Sequence, residues 1–219
     1  MATVMTAPPV IETLADLLDR LGVPPNRIRF HPPPGTATEA DVLATLNGEK
    51  RLCELVDGVL VEKAMGFYES LVAGVLIGYL HAFLSQQDLG VVLGADGTVR
   101  LMPGLVRIPD VAFVSWRHFP NRRLPRQPIP DLVPDLAVEV LSEGNTETEM
   151  ANKLQEYFRA GVQLVWYVYP ETRTVQVYTS PSDVRLLAED DTLDGATVLP
   201  GFRLSIREWF AEAGEREEE

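Results

Sequence analysis

The hydrophobic and polar positions in the N-terminal part of the chain predict two helices and a β-hairpin. Apolar side chains recur at helical spacing over 11–21 and stop at Gly22, and 38–46 predict a second, shorter helix. Apolar runs flank the pair Asp57-Gly58, which favours the tight turn between antiparallel strands. The hairpin is therefore predicted to centre on this pair.

The strongest helical pattern covers residues 68–84, where apolar side chains recur at i, i+3, i+4 and i+7. Gly74 and Gly78 lie off this apolar face, which predicts close packing against another element. A helix over 146–160 is predicted to end at Gly161. The predicted strands around these helices are 91–95, 98–102, 108–114, 135–141, 163–169 and 174–178, and a terminal helix follows near 206–210. This order predicts an α/β fold with a mixed central β-sheet flanked by helices.

The composition is that of a chain with one full hydrophobic core. It has 219 residues, of which 46% are hydrophobic. We divide it into an N-terminal helical extension with a Pro-rich linker (1–37), a main domain (38–211) and an acidic tail (212–219). The single cysteine, the lack of a leader pattern and the lack of an apolar run long enough for a bilayer predict a cytoplasmic protein without a membrane partner.

The charge is unevenly distributed along the chain. A net charge of −13 argues against a general nucleic-acid coat protein, for which a basic balance is expected. Between Gly97 and Pro130, however, the only acid is Asp110, and six arginines fall there. They are Arg100, Arg107, Arg117, Arg122, Arg123 and Arg126. This segment forms either a basic face beside a functional site or a solvated loop, and both interpretations stay open.

Two apolar strand segments each contain one carboxylate, Asp110 in 108–114 and Glu139 in 134–142. Desolvating an ionised carboxylate costs several kcal/mol unless a cation or a metal compensates. Mg²⁺ commonly binds through one or two carboxylates together with water and phosphate oxygens. The pair therefore predicts a divalent-metal site. The alternatives are a turn or strand-cap role for Asp110 and an ion pair with an arginine for Glu139.

Two helical side chains are candidates to complete this site. Lys153 projects about 60° from the centre of the buried stripe of its helix, so its long stem can reach toward the sheet. The alternative is a surface pair with Glu149 at i, i+4 spacing. Glu69 flanks the apolar face of the long helix, as a third ligand or as an acid favoured by the helix dipole. The three histidines lack the spacing of a zinc site.

Six short motifs occur in an order that resembles a known family. They are Glu54-Leu55-Val56-Asp57-Gly58, Ile108-Pro109-Asp110-Val111, Leu136-Ala137-Val138-Glu139-Val140-Leu141-Ser142, Lys153 with Tyr157 and Gly161, Val165-Trp166-Tyr167-Val168, and Leu199-Pro200-Gly201-Phe202. Together they resemble the Uma-two family of restriction endonucleases, a branch of the PD-(D/E)XK nuclease superfamily, over about 38–210. The resemblance implies a PD-(D/E)XK restriction-endonuclease-like core.

The resemblance also implies a ligand set for the metal. Asp110 and Glu139 would be the catalytic ligands, and the backbone carbonyl of Val140 would be a further oxygen donor. The acid that the superfamily carries on a helix would fall on Glu69. The implied cofactor is Mg²⁺ or Mn²⁺.

The remaining catalytic positions are Lys153 and Glu54. By resemblance, Lys153 would orient the attacking water and balance charge, and Glu54 matches an acidic position of the family itself. Leu141 stands where the superfamily has a lysine, so Lys153 would have to replace it from the helix.

We therefore predict a metal-dependent nuclease that hydrolyses phosphodiester bonds in DNA. The alternative is a catalytically inactive nuclease-fold module that binds nucleic acid or protein, and Leu141 and the acidic net charge favour it. The apolar edge strands and the resemblance are compatible with a homodimer.

Overall fold

The computed structural model describes residues 12–64 and 66–214, which form twelve strands and five α-helices. The strands are β1 (Cys53–Val56), β2 (Val59–Glu62), β3 (Gly90–Leu93), β4 (Val99–Met102), β5 (Leu105–Arg107), β6 (Val111–Ser115), β7 (Leu136–Val140), β8 (Leu164–Tyr169), β9 (Thr174–Ser180), β10 (Asp183–Leu187), β11 (Thr192–Gly195) and β12 (Leu199–Ser205). The helices are α1 (Leu14–Leu21), α2 (Glu39–Ala44), α3 (Phe67–Leu84), α4 (Glu147–Ala160) and α5 (Ile206–Ala213).

The centre of the fold is a mixed six-stranded sheet in the order β10-β9-β8-β7-β6-β3. Only β7 and β8 run parallel, and α4 makes the crossover between them, as a parallel connection requires. A four-stranded sheet, β2-β1-β5-β4, and a hairpin of β11 and β12 complete the architecture. The predicted α/β fold with a mixed central sheet flanked by helices is confirmed.

The two faces of the central sheet bury different sets of side chains, because successive residues of a strand point to opposite sides. In β7, Val138 packs in a core shared with α3 and α5, whereas Ala137 packs in a core shared with α1, α4 and the four-stranded sheet. Glu139 alternates with Val138 and therefore lies on the same side as Ala137. The candidate site thus lies between the central sheet, α4 and the four-stranded sheet.

The predicted strand over 108–114 begins three residues later in the structure, at Val111. β5 ends at Arg107 and β6 begins at Val111, and the two strands belong to different sheets. Pro109 lies in the connection, where its lack of an N–H costs no ladder hydrogen bond. The break places Asp110 at the junction of the two sheets.

The N-terminal segment is tied to the rest of the protein by buried contacts. Leu17 and Leu21 of α1 pack in the same core as Met150 of α4. Arg27 donates to both carboxylate oxygens of Glu149, at 2.7 and 2.9 Å, and both side chains are buried. The predicted boundaries at residues 37 and 211 stay a prediction, and residues 1–11 and 215–219 lie outside the described residues.

Helix α3 begins and ends close to the predicted bounds, but its buried face is narrower than its apolar pattern indicates. Val72, Leu76 and Leu80 are buried, whereas Leu71 is exposed. A Cβ added at Gly74 or Gly78 would meet no described residue within 4 Å, so the predicted close packing is not formed there. By length and composition α3 is the one described helix that could cross a membrane, and its buried apolar residues belong to the core shared with α5 and the central sheet.

Candidate active site

Four segments that are distant in sequence meet at the junction of the two sheets. Asp110 precedes β6, Glu139 lies in β7, Glu54 lies in β1 and Lys153 lies in α4. All four side chains are buried. The antiparallel register pairs Val111 with Val138, which brings Asp110 beside Glu139. The structure therefore brings together the four residues predicted to be catalytic.

The Asp110 carboxylate is held by one backbone group and one ammonium group. Its Oδ2 accepts a hydrogen bond from the Val140 backbone N–H at 2.6 Å. Its Oδ1 lies 2.8 Å from Nζ of Lys63, a residue that directly follows β2. The backbone bond therefore engages one carboxylate oxygen, and the ammonium group lies against the other.

The two carboxylate oxygens of Glu139 differ in their contacts with the described residues. Oε1 accepts a hydrogen bond from the Tyr157 hydroxyl and lies 3.3 Å from Nζ of Lys153. Within residues 12–64 and 66–214 no group donates to Oε2. Tyr157 and Lys153 lie one turn apart on α4, so this helix positions the carboxylate from one side.

Glu54 belongs to a buried ion cluster next to Glu139, together with Arg107 and Lys153. The register of β1 and β5 pairs Leu55 with Val106, which places Glu54 opposite Arg107 on the neighbouring strand. Glu54 accepts from Arg107 at 2.6 Å and from the Ile108 backbone N–H at 3.1 Å, and it lies 3.3 Å from Lys153. Glu54 is therefore a fixed buried anion that holds two cations in place.

The shared lysine affects its two carboxylates differently. Burial opposes ionisation of Glu54, but the charges of Lys153 and Arg107 outweigh it and lower the pKa of Glu54 to about 2. Burial instead raises the pKa of Glu139, and Lys153 opposes this while the neighbouring Asp110 and Glu54 charges add to it. Glu139 is thus the carboxylate whose charge is least compensated, the electrostatic environment in which a further cation is favoured.

The pKa of Lys153 shifts in the direction that keeps it charged. Burial lowers the pKa of a lysine, but Glu139 and Glu54 outweigh burial and raise it. The pKa of Tyr157 is also raised, by burial first and then by the charge of Glu139, so its hydroxyl stays a donor. The alternative of a surface pair between Lys153 and Glu149 is not formed, because Lys153 is buried against Glu139 and Glu54 and Glu149 pairs with Arg27.

The two further predicted ligands, Val140 and Glu69, relate differently to the carboxylate pair. Val140 contributes its N–H to Asp110, and its carbonyl as a metal ligand stays a prediction. Glu69 is buried in the first turn of α3, where a Cβ added at Gly66 would come within 2.0 Å of its Oε2. Among the described residues no hydrogen bond or ion pair joins the Glu69 side chain to Asp110 or Glu139.

The donor set fits a hard divalent cation that retains most of its water. Asp110 and Glu139 supply carboxylate oxygens from adjacent strands, and Mg²⁺ is commonly held by only one or two carboxylates. The described part of the chain contains no group of three or more histidine, cysteine, aspartate or glutamate side chains that could hold a metal. Beyond these two carboxylates, an ion here would need ligands other than such side chains, for example water or a backbone carbonyl.

Most of the arginines of the candidate basic segment form ion pairs within the protein. Four of the six do so: Arg100 with Glu39, Arg107 with Glu54 and Glu156, Arg117 with Asp135, and Arg122 with Asp88. Arg123 and Arg126 lie in an exposed loop. The segment therefore has less free positive charge than its composition indicates.

The comparison with known proteins shows the family and the fold of the chain. Residues 33–207 match the Uma2 family, described as "Putative restriction endonuclease". The chain belongs to this family. A similar solved structure is that of "a putative nuclease belonging to DUF820" from Anabaena variabilis ATCC 29413, with a TM-score of 0.66 and 18% sequence identity. The match covers 75% of this chain and 92% of that one, and it shows the fold. No curated protein matches the sequence.

Lys63 is the residue of this site that the sequence patterns did not reveal. It follows the hairpin strand β2, and nothing in its local pattern distinguishes it from a surface lysine. Its contact with Asp110 depends on how the two sheets meet, which the local pattern does not contain. The partner of Glu54 could have been found, because a register that pairs β1 with β5 sets Arg107 opposite it.

Proposed function

We propose that this protein is a nuclease that hydrolyses phosphodiester bonds in DNA with Mg²⁺ or Mn²⁺ as cofactor. Membership of a restriction endonuclease family supports nuclease function. The observation that carries the finer proposal is the buried pair of Asp110 and Glu139 on adjacent strands, with Lys153 at 3.3 Å from Glu139. Hard oxygen donors beside a fixed cation are what metal-assisted phosphodiester hydrolysis requires.

Each residue has a distinct role in this proposal. Asp110 Oδ1 and Glu139 Oε2 are the oxygens that would bind the cation, because the other two oxygens already accept hydrogen bonds. A bound divalent ion would polarise the phosphate and lower the pKa of a water. Lys153 orients Glu139 and supplies positive charge beside the developing negative charge, and Glu54 keeps Lys153 in place.

A nicking assay on supercoiled plasmid DNA tests the proposal directly. The parental protein is expected to nick the plasmid with Mg²⁺ or Mn²⁺ and to lose this activity in the presence of EDTA. Asp110→Asn and Glu139→Gln are each expected to lower the nicking rate at least about a hundredfold, the scale seen when a positioned charge is removed. Asp19→Asn changes an exposed carboxylate on α1 and is the matched control. Equal rates in Glu139→Gln and parental protein would refute the assignment.

One observation favours the alternative, a catalytically inactive module that binds nucleic acid or protein. Lys63 pairs with Asp110 and Lys153 pairs with Glu139, so each carboxylate already has a cation. If no DNA or RNA substrate is cleaved with any divalent metal, while labelled DNA is still bound, the binding module becomes the better description. Bound DNA should then have the same affinity for the parental protein and for Glu139→Gln.

A homodimer and a cytoplasmic location are part of the same proposal. The homodimer is supported by exposed apolar side chains on α3 and β10, among them Phe67, which is 84% exposed, and Leu186, which is 63% exposed. Light scattering coupled to size exclusion measures the mass of the particle directly. A particle of 24.3 kDa, the mass of one chain, would exclude the dimer.

A further inference from the structure

We infer that Lys63 is an internal counter-ion that competes with a divalent cation for Asp110 and thereby sets the metal affinity of the site. The inference rests on the proposed function, because it concerns the metal at the same pair of carboxylates. It adds a control on metal binding that the carboxylates alone do not provide. Three features of Lys63 support it: its contacts, its difference from Lys153, and its backbone anchor.

The first feature is the contact between Lys63 and Asp110. The two side chains are 5% and 6% exposed, and Nζ lies 2.8 Å from Oδ1. The same ammonium group donates to the Ile108 carbonyl oxygen. Because Val140 already binds Oδ2, Lys63 covers the one oxygen of Asp110 that the backbone leaves accessible. A cation that binds this oxygen must displace the ammonium group or share the oxygen with it.

The second feature is the difference between the two lysines of the site. Lys153 lies 3.3 Å from Glu139 and 3.3 Å from Glu54, so it keeps one carboxylate partner when Glu139 turns to another cation. Among the described residues, Asp110 is the only carboxylate that Lys63 contacts as an ion pair, and its charge acts on Glu139 and Glu54 from farther away. Like charges a few ångströms apart repel strongly in a buried site. A metal at Asp110 therefore displaces Lys63 and leaves Lys153 in place.

The third feature is the backbone of Lys63, which is anchored independently of its side chain. Its N–H donates to the Leu52 carbonyl at 2.9 Å and extends the pairing of the hairpin by one residue. Displacement of the ammonium group therefore needs rotation of a flexible four-carbon stem and no movement of the strand. This makes Lys63 a side chain that can leave the site without disturbing the fold around it.

Isothermal titration calorimetry with Mn²⁺ alone tests the inference. Lys63→Met removes the charge and keeps the apolar stem, so we expect it to bind Mn²⁺ at least tenfold more tightly than the parental protein, a difference of about 1.4 kcal/mol. Lys63→Arg keeps the charge and should retain the parental affinity. Lys50→Met, at an exposed position that precedes the same hairpin, is the matched control and should also bind as the parental protein does.

Thermal melts with and without metal test the same competition between Lys63 and the cation. Without metal, Lys63→Met should melt below the parental protein, since Asp110 loses its counter-ion. Saturating Mn²⁺ should raise its melting temperature by more than it raises that of the parental protein. Lys63→Gln, which keeps a donor for the Ile108 carbonyl, replaces Lys63→Met if the latter does not fold.

The outcomes separate this inference from the proposed function. Tight Mn²⁺ binding of equal strength in parental protein and Lys63→Met would overturn the role of Lys63 and leave the metal-dependent nuclease standing. Weaker binding in Lys63→Met would also overturn it, because Lys63 would then assist the metal. Absence of binding in both proteins would contradict the counter-ion role and the metal dependence together.

Discussion

Replacement of Glu54 by glutamine removes the anion around which the buried ion cluster is organised. The side chain is fully buried, and it contacts Arg107, Lys153 and the backbone N–H of Ile108. Glutamine has nearly the same shape but no charge, so the substitution tests electrostatics with little change of packing. It leaves two buried cations with one carboxylate partner fewer.

The expected magnitude follows from the pKa of Glu54. Its cationic neighbours lower this pKa from an ordinary value of 4.5 to about 2, although burial acts in the opposite direction. By linkage this difference corresponds to about 3 kcal/mol of folding free energy. The cost of removing one partner of a buried pair is on the same scale, about 3–5 kcal/mol. The parental chain has this stability above the unfolded-state pKa and loses it as the pH falls from about 4.5 toward about 2.

Urea unfolding followed by tryptophan fluorescence, at neutral pH and at about pH 3, measures how much stability Glu54 contributes and how this contribution changes with pH. Glu54→Gln should be less stable than the parental protein by about 3 kcal/mol at neutral pH, and this gap should narrow at about pH 3. Glu143→Gln, an exposed acid in the loop before α4, should stay within about 0.5 kcal/mol. A gap of the same size at both pH values would refute the electrostatic reasoning.

Three further substitutions test packing, backbone conformation and the shared lysine. Trp166 and Trp209 are both fully buried, but of these two only the Trp209 indole N–H donates to a described residue, a backbone carbonyl of α3 at 2.9 Å. In urea unfolding, Trp209→Phe should therefore lower the free energy of unfolding by about 1 kcal/mol more than Trp166→Phe does. A larger loss in Trp166→Phe would contradict this. Gly22→Ala should lower the melting temperature, because Gly22 has a φ of +67° and the added Cβ would lie 2.6 Å from the Thr148 side chain. An unchanged melting temperature would show that α1 adjusts freely to the added methyl group. Lys153→Met should lower the free energy of unfolding in urea by about 3 kcal/mol, because two buried carboxylates lose a shared cation, and it should also lose plasmid nicking. Parental stability together with parental nicking would exclude a role of Lys153 in the site.

Local patterns predicted most of the elements. The hairpin turn has positive φ at Asp57 and Gly58, and Gly161 ends α4 with φ of +110°, as these residue types favour. Asp110 and Glu139 could be recognised as candidates because an isolated carboxylate in an apolar strand is unusual. These features depend on a few neighbouring residues, which the sequence displays directly.

The parts that could not be predicted depend on contacts between distant segments. The ion pair of Lys63 with Asp110 and the pairing of Arg117 with Asp135 both join elements whose relative position only the folded chain defines. The exposure of Leu71 has a similar origin, because α3 is apolar around most of its circumference and its pattern does not show which side meets the sheet. Glu69 and Val140 as metal ligands remain predictions.

The candidate site is assembled from positions 54 to 153 of the chain, and this has a consequence for protein synthesis. A growing chain that has not yet reached Lys153 lacks the cation shared by Glu54 and Glu139, and a chain without β8 lacks the parallel neighbour of β7. Domains generally fold as units during synthesis. Chains that end before α4 and β8 therefore do not carry the assembled site, so synthesis must pass both elements before the site can form.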